Sequence, residues 1–385
     1  MQRGIITLIK SAVLQQPLEL PEGFDLEQAY TQIRRHSVVA LCYDGAVRCG
    51  VDKNLPVMQK LFHGYLRSLQ VSEGQMRQVD RICKAFEENG IDYMPLKGCN
   101  MKKLYPAPEL RTMGDADILI RVEQYERIKP IMEGLGFRFE KESDHELVWV
   151  HPELFLELHK RVMTSYNVDF FAFFGDGWQF AKPYNSSCYV MQNEDAYLYT
   201  FVHFSKHYRG GGIGLRHVVD LWLYHKKFQN MDMSYLQKVL KELNLLEFHG
   251  NVQHLIDTWF ENGGSNEITE FMTDFIFASG NWGEAESKFL SSLLRKGRAG
   301  AWQTNRLGYV ISRMFPSADS LSPKYTVLQK APWLLPVVWI YRPFYKLIFE
   351  RKSLKKQIDK TALVTEEKID EKRRMLRSVG LDFNF

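Results

Sequence analysis

Apolar residues recur along the chain with two different spacings. In residues 1–75, and again from about residue 193 onward, they recur every three or four positions, as in helices that bury one face. From about residue 91 the spacing changes to short apolar runs and strict alternation, which is the pattern of β-strands. The pattern therefore predicts a mixed α/β segment between two helical regions.

Three helical segments are predicted before the change of period: LEQAYTQIRRHSVVALCYDGA, LPVMQKLFHGYLRSLQ and SEGQMRQVDRICKAFEENG. Ser72 is a suitable N-cap for the third of these, because its hydroxyl can accept from a free backbone N–H in the first turn. Gly90 is a suitable C-terminal stop, because glycine readily adopts the left-handed conformation that ends helices. We therefore expect a helix boundary at Ser72.

The segment that follows predicts a small sheet with helices between its strands. In chain order it reads as strand IDYMPL, short helix NMKKLYPAPE, strand GDADILI, helix VEQYERIKPIMEGLG, and strands FRFEKES, DHELVWVHP and ELFLELHKRV. The last strand alternates cleanly, with three leucines on one face and Phe155, Glu157 and His159 on the other.

Helices return as NEDAYLYTFVHFSKH, LRHVVDLWLYHKKF, MSYLQKVLKELNLL and LEFHGNVQHLIDTWF, and TEEKIDEKRRMLRS predicts a peripheral helix near the C-terminus. We predict four regions: an N-terminal helical region at 1–89, an α/β core at 90–190, a helical domain at 191–320, and an apolar and basic tail at 321–385. The predicted fold class is α+β.

Composition is that of a soluble globular protein, with 45% hydrophobic and 25% charged residues among 385. The net charge of +4 gives no strong signal for nucleic acid, and the basic excess is C-terminal, with twelve Lys/Arg against six Asp/Glu from Ile340 to Arg377. The five cysteines show no C-x-x-C spacing. Reduced thiols, no structural zinc and a cytoplasmic location are expected.

Residues 331–349, APWLLPVVWIYRPFYKLIF, are about as long as a membrane-spanning helix. Three prolines and the charges of Arg342 and Lys346 argue against a span. Packing of this tail on the body is one interpretation. Peripheral contact with a membrane or another protein through residues 331–360, helped by the basic RKSLKK, is the other.

Asp115 and Asp117 stand on either side of one small residue, at the start of an apolar strand. Positions i and i+2 of a strand point the same way, so two like charges would lie side by side. Such a pair favours a bound cation, and Mg²⁺, with Mn²⁺ as an alternative, takes carboxylates together with substrate phosphates. Glu157 from a neighbouring strand would complete a three-acid site for in-line phosphoryl displacement. The alternative is a solvated D-x-D at the end of a strand.

Basic residues flank the acids. Lys97 and Gly98 join the first strand to a helix, where glycine allows close backbone approach and the helix N-terminus offers amide donors to phosphate. Arg111 lies on the other side, and its planar guanidinium suits phosphate. Lys97 is open to a purely solvated role, and Arg111 to pairing with a nearby carboxylate.

Further candidates lie on the Glu157 face and in the later helices. His159 would orient a carboxylate or hold a phosphate oxygen, or simply be a satisfied core histidine. His203 and His207 have the spacing of a two-histidine metal site, but no third ligand is evident. Lys206 and Arg216 are predicted to line the inner wall of the helical domain and contact phosphates. The alternative for Arg216 is a surface pair with Asp220, one turn away.

The chain resembles a nucleotidyltransferase family of the NTP_transf_5 type. The residues that carry the resemblance are the string LKG…LYP…R…GDADILI and the later ELH of residues 157–159, which follows Leu156. This family belongs to the DNA polymerase β-like nucleotidyltransferase superfamily. HFSKH and LRHVVDLWL also resemble its helical region, and the similarity covers about residues 20–260. It implies a polymerase β-like mixed sheet with flanking N-terminal and C-terminal helical regions. It also implies magnesium ligation and catalysis by Asp115, Asp117 and Glu157.

The implied activity is a Mg²⁺-dependent transfer of NMP from an NTP to a hydroxyl of an unidentified acceptor, with release of pyrophosphate. The sequence departs from the wider superfamily in having Cys99 after Gly98, where a second small residue is usual. Two alternatives stay open: an inactive nucleotide-binding or regulatory module of the same fold, and a glycosyltransferase that uses D-x-D to hold a nucleotide-sugar. No Walker A loop, nucleophile elbow or Rossmann glycine fingerprint is present.

Overall fold

A computed structural model describes residues 1–165, 167–280, 327–341 and 366–382, together with residues 315, 316, 321 and 325. The chain divides into two compact units. The first comprises Met1–Tyr208, Gly212–Gly283 and Val379–Leu381, and the second comprises Arg209–Gly211, Glu284–Ser378 and Asp382–Phe385. The boundaries predicted at 89, 190 and 320 stay predictions.

Four helices form the N-terminal part of the first unit: α1 (Gln2–Leu14), α2 (Leu26–Arg35), α3 (Val39–Arg48) and α4 (Pro56–Glu88). Asp25 caps α2 by accepting from two backbone N–H groups of its first turn. The predicted single helix over residues 26–46 is two helices, because Ser37 adopts a positive φ of 57° between them. Gly90, with φ of 60°, lies just beyond the end of α4 as predicted.

The α/β segment forms a mixed five-stranded sheet in the order β1-β2-β5-β4-β3. Its elements are β1 (Tyr93–Pro95), α5 (Lys97–Lys102), β2 (Ala116–Ile120), α6 (Tyr125–Gly134), β3 (Arg138–Glu142), β4 (Glu146–His151) and β5 (Leu154–His159). β2 pairs in parallel with β5, and the other pairs are antiparallel. The predicted α+β class is confirmed.

One face of the sheet carries the hydrophobic core. Ile118 and Ile120 of β2 pack there with Leu156 and Leu158 of β5, and Phe86 from α4 lies in the same cluster. Since successive strand residues point to opposite faces, Asp117 and Glu157 lie on the other face. The alternation predicted for the last strand is therefore what the structure shows.

Helices make up the rest of the described chain apart from a short hairpin. They are α7 (Val168–Phe174), α8 (Asn193–Gly210), α9 (Leu215–Lys227), α10 (Met233–Glu242), α11 (Leu246–Phe260) and α12 (Glu267–Ser279). The hairpin consists of β6 (Ala181–Pro183) and β7 (Tyr189–Met191). The described helices of the second unit include α13 (Val327–Lys330) and α14 (Glu366–Ser378), and α14 matches the predicted peripheral helix.

Residues 331–341 of the second unit are largely helical. Val338 is buried in a small apolar cluster, whereas Trp333, Val337 and Ile340 are exposed. Residues 342–360 lie outside the described part, so the predicted contact through 331–360 stays a prediction. No helix within the described residues is long and apolar enough to cross a membrane.

The predicted helix boundary at Ser72 is wrong, because α4 runs without interruption through both predicted helices. Ser72 lies in mid-helix and accepts a hydrogen bond from the buried Lys102 ammonium (2.9 Å). On the same face, Ser68 donates to the Glu109 carbonyl (2.7 Å) and Gln75 donates to the Met113 carbonyl (2.9 Å). Spacings of three and four residues place these polar groups in one stripe along the helix. The stripe holds the irregular segment that leads into β2.

A buried ion pair joins that segment to α9. The Arg111 Nε donates to Asp220 Oδ1 and its Nη2 donates to Asp220 Oδ2, both at 2.8 Å, and both side chains are almost fully buried. Tyr105 donates to the same carboxylate at 2.8 Å. Such a two-point pair fixes orientation as well as distance, so the segment before β2 is held against the helical part of this unit.

His36 joins three elements of the first unit and is buried. The Leu215 N–H at the start of α9 donates to its Nδ1 (3.4 Å), so its Nε2 carries the proton that faces the Phe277 carbonyl of α12 (3.2 Å). The neutral ring satisfies both contacts. Burial lowers the pKa of His36 to about 4.

We expect the free energy of unfolding to fall as the pH is lowered from 6.5 towards 4, because only the unfolded chain then protonates His36. A pKa depressed in the folded state gives stability that is complete above about pH 6.5, and the loss is at most about 1.4 kcal/mol per pH unit below it. Urea unfolding at pH 7 and pH 5 of wild type and His36→Gln measures this. Equal pH dependence in the two proteins would contradict the assignment.

A double-mutant cycle tests the Arg111–Asp220 pair. Asp220→Asn leaves a buried guanidinium without its counter-charge, and Arg111→Met leaves a buried carboxylate, so each should destabilise the protein strongly. The double variant removes both charges and should lose less than the sum, with a coupling of about 2–3 kcal/mol in urea unfolding. The amide oxygen introduced by Asp220→Asn would still accept from Tyr105. Additive losses would show that the pair contributes little.

Candidate functional site

Parallel pairing of β2 with β5 brings the candidate carboxylates together. In the register of the two strands, Asp117 lies beside Glu157 and Leu119 lies beside His159. Partners in register share a face of the sheet, so the predicted acids from two strands do meet on one side. Asp115 lies one residue before β2 and not within it. The three predicted acids are therefore close in space, where β2 begins beside β5.

Asp117 is the most enclosed of the three, and both of its oxygens are engaged. Lys97 donates to Oδ2 at 2.9 Å, and the His159 Nε2 lies 2.9 Å from Oδ1. Burial alone would raise the pKa of Asp117, but the charge of Lys97 and the hydrogen bond from His159 outweigh it and hold the pKa well below its usual range. Asp117 is thus ionised and fixed in orientation.

His159 bridges two carboxylates. Its Nε2 lies 3.5 Å from Glu157 Oε2 as well as 2.9 Å from Asp117 Oδ1. Burial disfavours the charged ring, but the hydrogen bonds to Asp117 and Glu157 prevail and raise the pKa of His159 to about 9. Its Nδ1 is buried without a hydrogen-bond partner in the described structure. The prediction that His159 lies on the Glu157 face and orients a carboxylate agrees with this geometry.

Asp115 is in the opposite situation. Its carboxylate makes no hydrogen bond to the residues that the structure describes. Burial and the neighbouring charge of Asp117 raise its pKa, in spite of the nearby Lys97. A half-buried carboxylate without a hydrogen-bond partner, beside the buried carboxylate of Asp117, fits a bound divalent cation, which would relieve the repulsion between them.

The donor set also fits a cation. Asp117, Glu157 and His159 each offer one ligand atom, and these atoms lie within 4.8 Å of one another. Asp115 is not a member of this set, although electrostatic interaction with Glu157 and Asp117 shows that it is near. The structure thus contains a group of two carboxylates and one imidazole that can hold a metal ion.

Lys97 and Gly98 lie where β1 passes into α5, beside the carboxylates. The pKa of Lys97 is raised, because its ion pair with Asp117 outweighs the effect of burial. A Cβ added at Gly98 would lie 3.3 Å from the sulfur of Met113 and 3.4 Å from the Asp115 carbonyl. Gly98 therefore allows the close approach that the sequence predicted, between α5 and the residues leading into β2.

Arg111 is engaged in a buried ion pair with Asp220. Three of its five N–H donors are used, two by Asp220 and one by the Gly98 carbonyl (3.2 Å), and the residue is 5% exposed. The pairing with a carboxylate that the sequence left open is formed, with a partner 109 residues away. A phosphate contact would have to compete with this pair, and it stays a prediction.

Helices α8 and α9 face the acids with cationic and histidine side chains. Arg216 of α9 donates from Nη1 to the Thr112 carbonyl, and its Nε lacks a partner among the described residues. It interacts electrostatically with Asp115. The alternative surface pair of Arg216 with Asp220 is not what forms, since Asp220 is buried against Arg111.

On α8, burial and the nearby charge of Lys97 lower the pKa of His203 well below its ordinary value. The His203 and His207 Nε2 atoms lie 3.1 Å apart, and Lys206 lies between them in the chain and is half-buried. Lys206 and Arg216 are thus on helices α8 and α9, and the predictions that they line an inner wall and contact phosphates stay predictions.

Sequence reasoning missed two residues beside the acids. Tyr199 of α8 interacts electrostatically with Lys97 and with all three carboxylates, and burial raises its pKa to about 12. His217 of α9 is also near Lys97, which helps burial to lower its pKa. The sequence could have predicted Tyr199 as a site residue, because Tyr199 precedes His203 by one helical turn and so shares its helix face.

Residues 22–261 match the model of a family described as uncharacterised nucleotidyltransferase, which spans more than half of the chain. Neither a curated protein nor a solved structure matches. The match includes the sheet, both acid-bearing strands and the facing helices α8 and α9. The chain therefore belongs to this nucleotidyltransferase family, whose members are enzymes that transfer phosphorus-containing groups.

Proposed function

We propose that this enzyme moves an NMP group from an NTP to a hydroxyl of an acceptor and releases pyrophosphate, with the help of a divalent cation. The observation that supports this most is the parallel register that sets buried Asp117 beside Glu157, with Asp115 just before the start of the same strand. Three carboxylates brought together on one face of a sheet form a suitable site for metal-assisted phosphoryl displacement.

Asp117 and Glu157 would hold the cation, with Asp115 beside them. A bound divalent ion there would neutralise charge on the α-phosphate and on the departing pyrophosphate. The ion pair of Asp117 with Lys97 keeps the carboxylate ionised and aimed into the site. Asp115 would lose its unfavourable repulsion when the cation and nucleotide are present.

Lys97 and Arg216 are the cations best placed for the phosphates. An ammonium has three N–H donors, and Asp117 takes one from Lys97, so two remain for phosphate oxygens. Arg216 has an unpartnered Nε among the described residues and lies near Asp115. We assign Arg111 a positioning role in this proposal, because its pair with Asp220 holds the segment that precedes Asp115.

Glu157 is the carboxylate best placed to accept the proton of the acceptor hydroxyl. Its side chain is 19% exposed, against 2% for Asp117, whose oxygens are both occupied by Lys97 and His159. A general base must reach the proton that it takes, so the more open carboxylate is preferred. The acceptor would lie between the face of the sheet that carries Glu157 and helices α8 and α9.

We expect Asp115→Asn and Asp117→Asn each to lower pyrophosphate release from the preferred NTP by at least about a hundredfold, because each removes charge that binds the cation. The assay uses α-phosphate-labelled ATP, GTP, CTP and UTP with Mg²⁺ or Mn²⁺. It follows both pyrophosphate and the labelled acceptor from a mixture of hydroxyl compounds. Glu153→Gln is the matched control, since Glu153 lies at the start of β5 and pairs with Arg77 instead of entering the site.

Thermal unfolding with the same four nucleotides separates an enzyme from a binding module. A ligand that binds the folded state raises the melting temperature by mass action, and at a concentration of about 100 Kd it adds about 2.7 kcal/mol. A metal-dependent shift without label transfer or pyrophosphate release would leave binding but reject the transfer. Equal shifts in wild type and in Asp115→Asn/Asp117→Asn would reject the assignment of the acids.

A further inference from the structure

We propose that His159 is itself a metal ligand, and that Asp117, Glu157 and His159 together make this a site for a first-row transition ion such as Mn²⁺ in preference to Mg²⁺. The inference rests on the proposed function in one respect only, that a divalent ion is bound beside Asp117 and Glu157 on this face of the sheet. It differs from the prediction that three carboxylates form the ligand set, because an imidazole takes the place given to Asp115.

The distances fit such a ligand set. In an octahedral complex with ligands about 2.1 Å from the ion, neighbouring ligand atoms are about 3 Å apart. The His159 Nε2 lies 2.9 Å from Asp117 Oδ1 and 3.5 Å from Glu157 Oε2. All three ligand atoms lie within 4.8 Å of one another, and Asp115 is not part of the set. The two distances from the His159 Nε2 to the carboxylate oxygens are thus close to the spacing of neighbouring ligand atoms around one ion.

The strands explain why these three atoms converge. Asp117 and Glu157 are partners in register across β2 and β5, and His159 is two residues farther along the Glu157 strand. Residues two apart on a strand share a face, so the ring of His159 stands beside Glu157 and reaches across to Asp117. For a cation to contact all three side chains, the His159 Nε2 would release to solvent the proton that it donates to Asp117, because a ligating nitrogen must be deprotonated.

The chemical nature of the ligands sets the preference for the ion. Mg²⁺ takes oxygen ligands and keeps several waters, whereas imidazole nitrogen suits transition ions. Two carboxylates and one imidazole leave three octahedral positions for water and for phosphate oxygens. Mn²⁺ accepts both the carboxylates and the nitrogen. Mg²⁺ would use the two carboxylates and replace the nitrogen with water.

If His159 only positions Asp117, the loss of metal affinity on its removal follows a different pattern. If the ring only orients Asp117 by a hydrogen bond, its loss weakens Mg²⁺ and Mn²⁺ binding by the same factor, because both ions then use the same carboxylate. If the ring is a ligand, its loss weakens Mn²⁺ much more. The ratio of the two affinities therefore separates a ligand from a positioning residue.

The experiment uses the whole chain with Mn²⁺ alone, measured by the electron paramagnetic resonance signal of the free ion, and with Mg²⁺ as a competitor. In His159→Gln we expect Mn²⁺ affinity to fall at least about tenfold and Mg²⁺ affinity to change less than about threefold. His151→Gln is the matched control, because His151 lies on β4 and packs on Phe137, outside the ligand set. Equal losses for both ions, or no loss for Mn²⁺, would overturn the proposal.

A second measurement needs no variant, and so does not depend on whether His159→Gln folds. Electron spin-echo envelope modulation of the Mn²⁺-loaded wild type should show coupling to an imidazole ¹⁴N. Asp117→Asn should remove both the binding and the coupling. Bound Mn²⁺ without nitrogen coupling, or no Mn²⁺ binding at all by the wild type, would reject His159 as a ligand.

The test of His159 as a metal ligand and the test of the proposed transfer can fail separately. Nitrogen coupling with no pyrophosphate release from any NTP would keep the ligand assignment and reject the transfer. Pyrophosphate release that depends on Asp117, with no nitrogen coupling and equal losses for both ions in His159→Gln, would keep the transfer and reject the ligand.

Discussion

The parallel pairing of β2 with β5 is the constraint on which the candidate site depends. It sets Asp117 next to Glu157 across the two strands while the alternate residues, Ile118 and Leu158, bury in the core on the opposite face. A shift of one residue would exchange the faces and move an aspartate into the core. The apolar residues that determine the register thus also determine which acids meet, and the fold tolerates the repulsion because the core stabilises the pairing.

Charge compensation around this pairing follows two patterns. Arg111 and Asp220 neutralise each other completely in a buried pair, and Lys97 with His159 compensates Asp117. Asp115 has no hydrogen-bond or ion-pair partner among the described residues, and burial and the charge of Asp117 raise its pKa in spite of the nearby Lys97 and Arg216. Buried pairs of this kind contribute more to geometry than to net stability. The residues that are fully paired hold the site in place. Asp115 is not paired in this way, and it is the carboxylate whose charge a bound ligand would compensate.

Sequence patterns predicted the strands of the sheet and most of the later helices, because period-two and period-3.6 burial are local properties of the chain. They also placed Glu157 and His159 on one face, since the alternation in β5 is unbroken. The role of Arg111 could not be read in this way, because its partner is 109 residues away. Ser72 shows the same limit: its hydroxyl was free to cap a helix by local rules, but Lys102 uses it from the side.

The polar stripe of α4 has a consequence for how this region can change in evolution. A residue inserted upstream of Ser68 would turn everything before it by about 100° relative to the stripe, and one inserted between Ser68 and Gln75 would divide the stripe itself. In the second case the Glu109 carbonyl and the Met113 carbonyl could not both keep their donors. Length changes should therefore be rare within α4 and accumulate elsewhere in relatives of this enzyme. The long helix thus fixes the position of the irregular segment that leads into β2 and its acids.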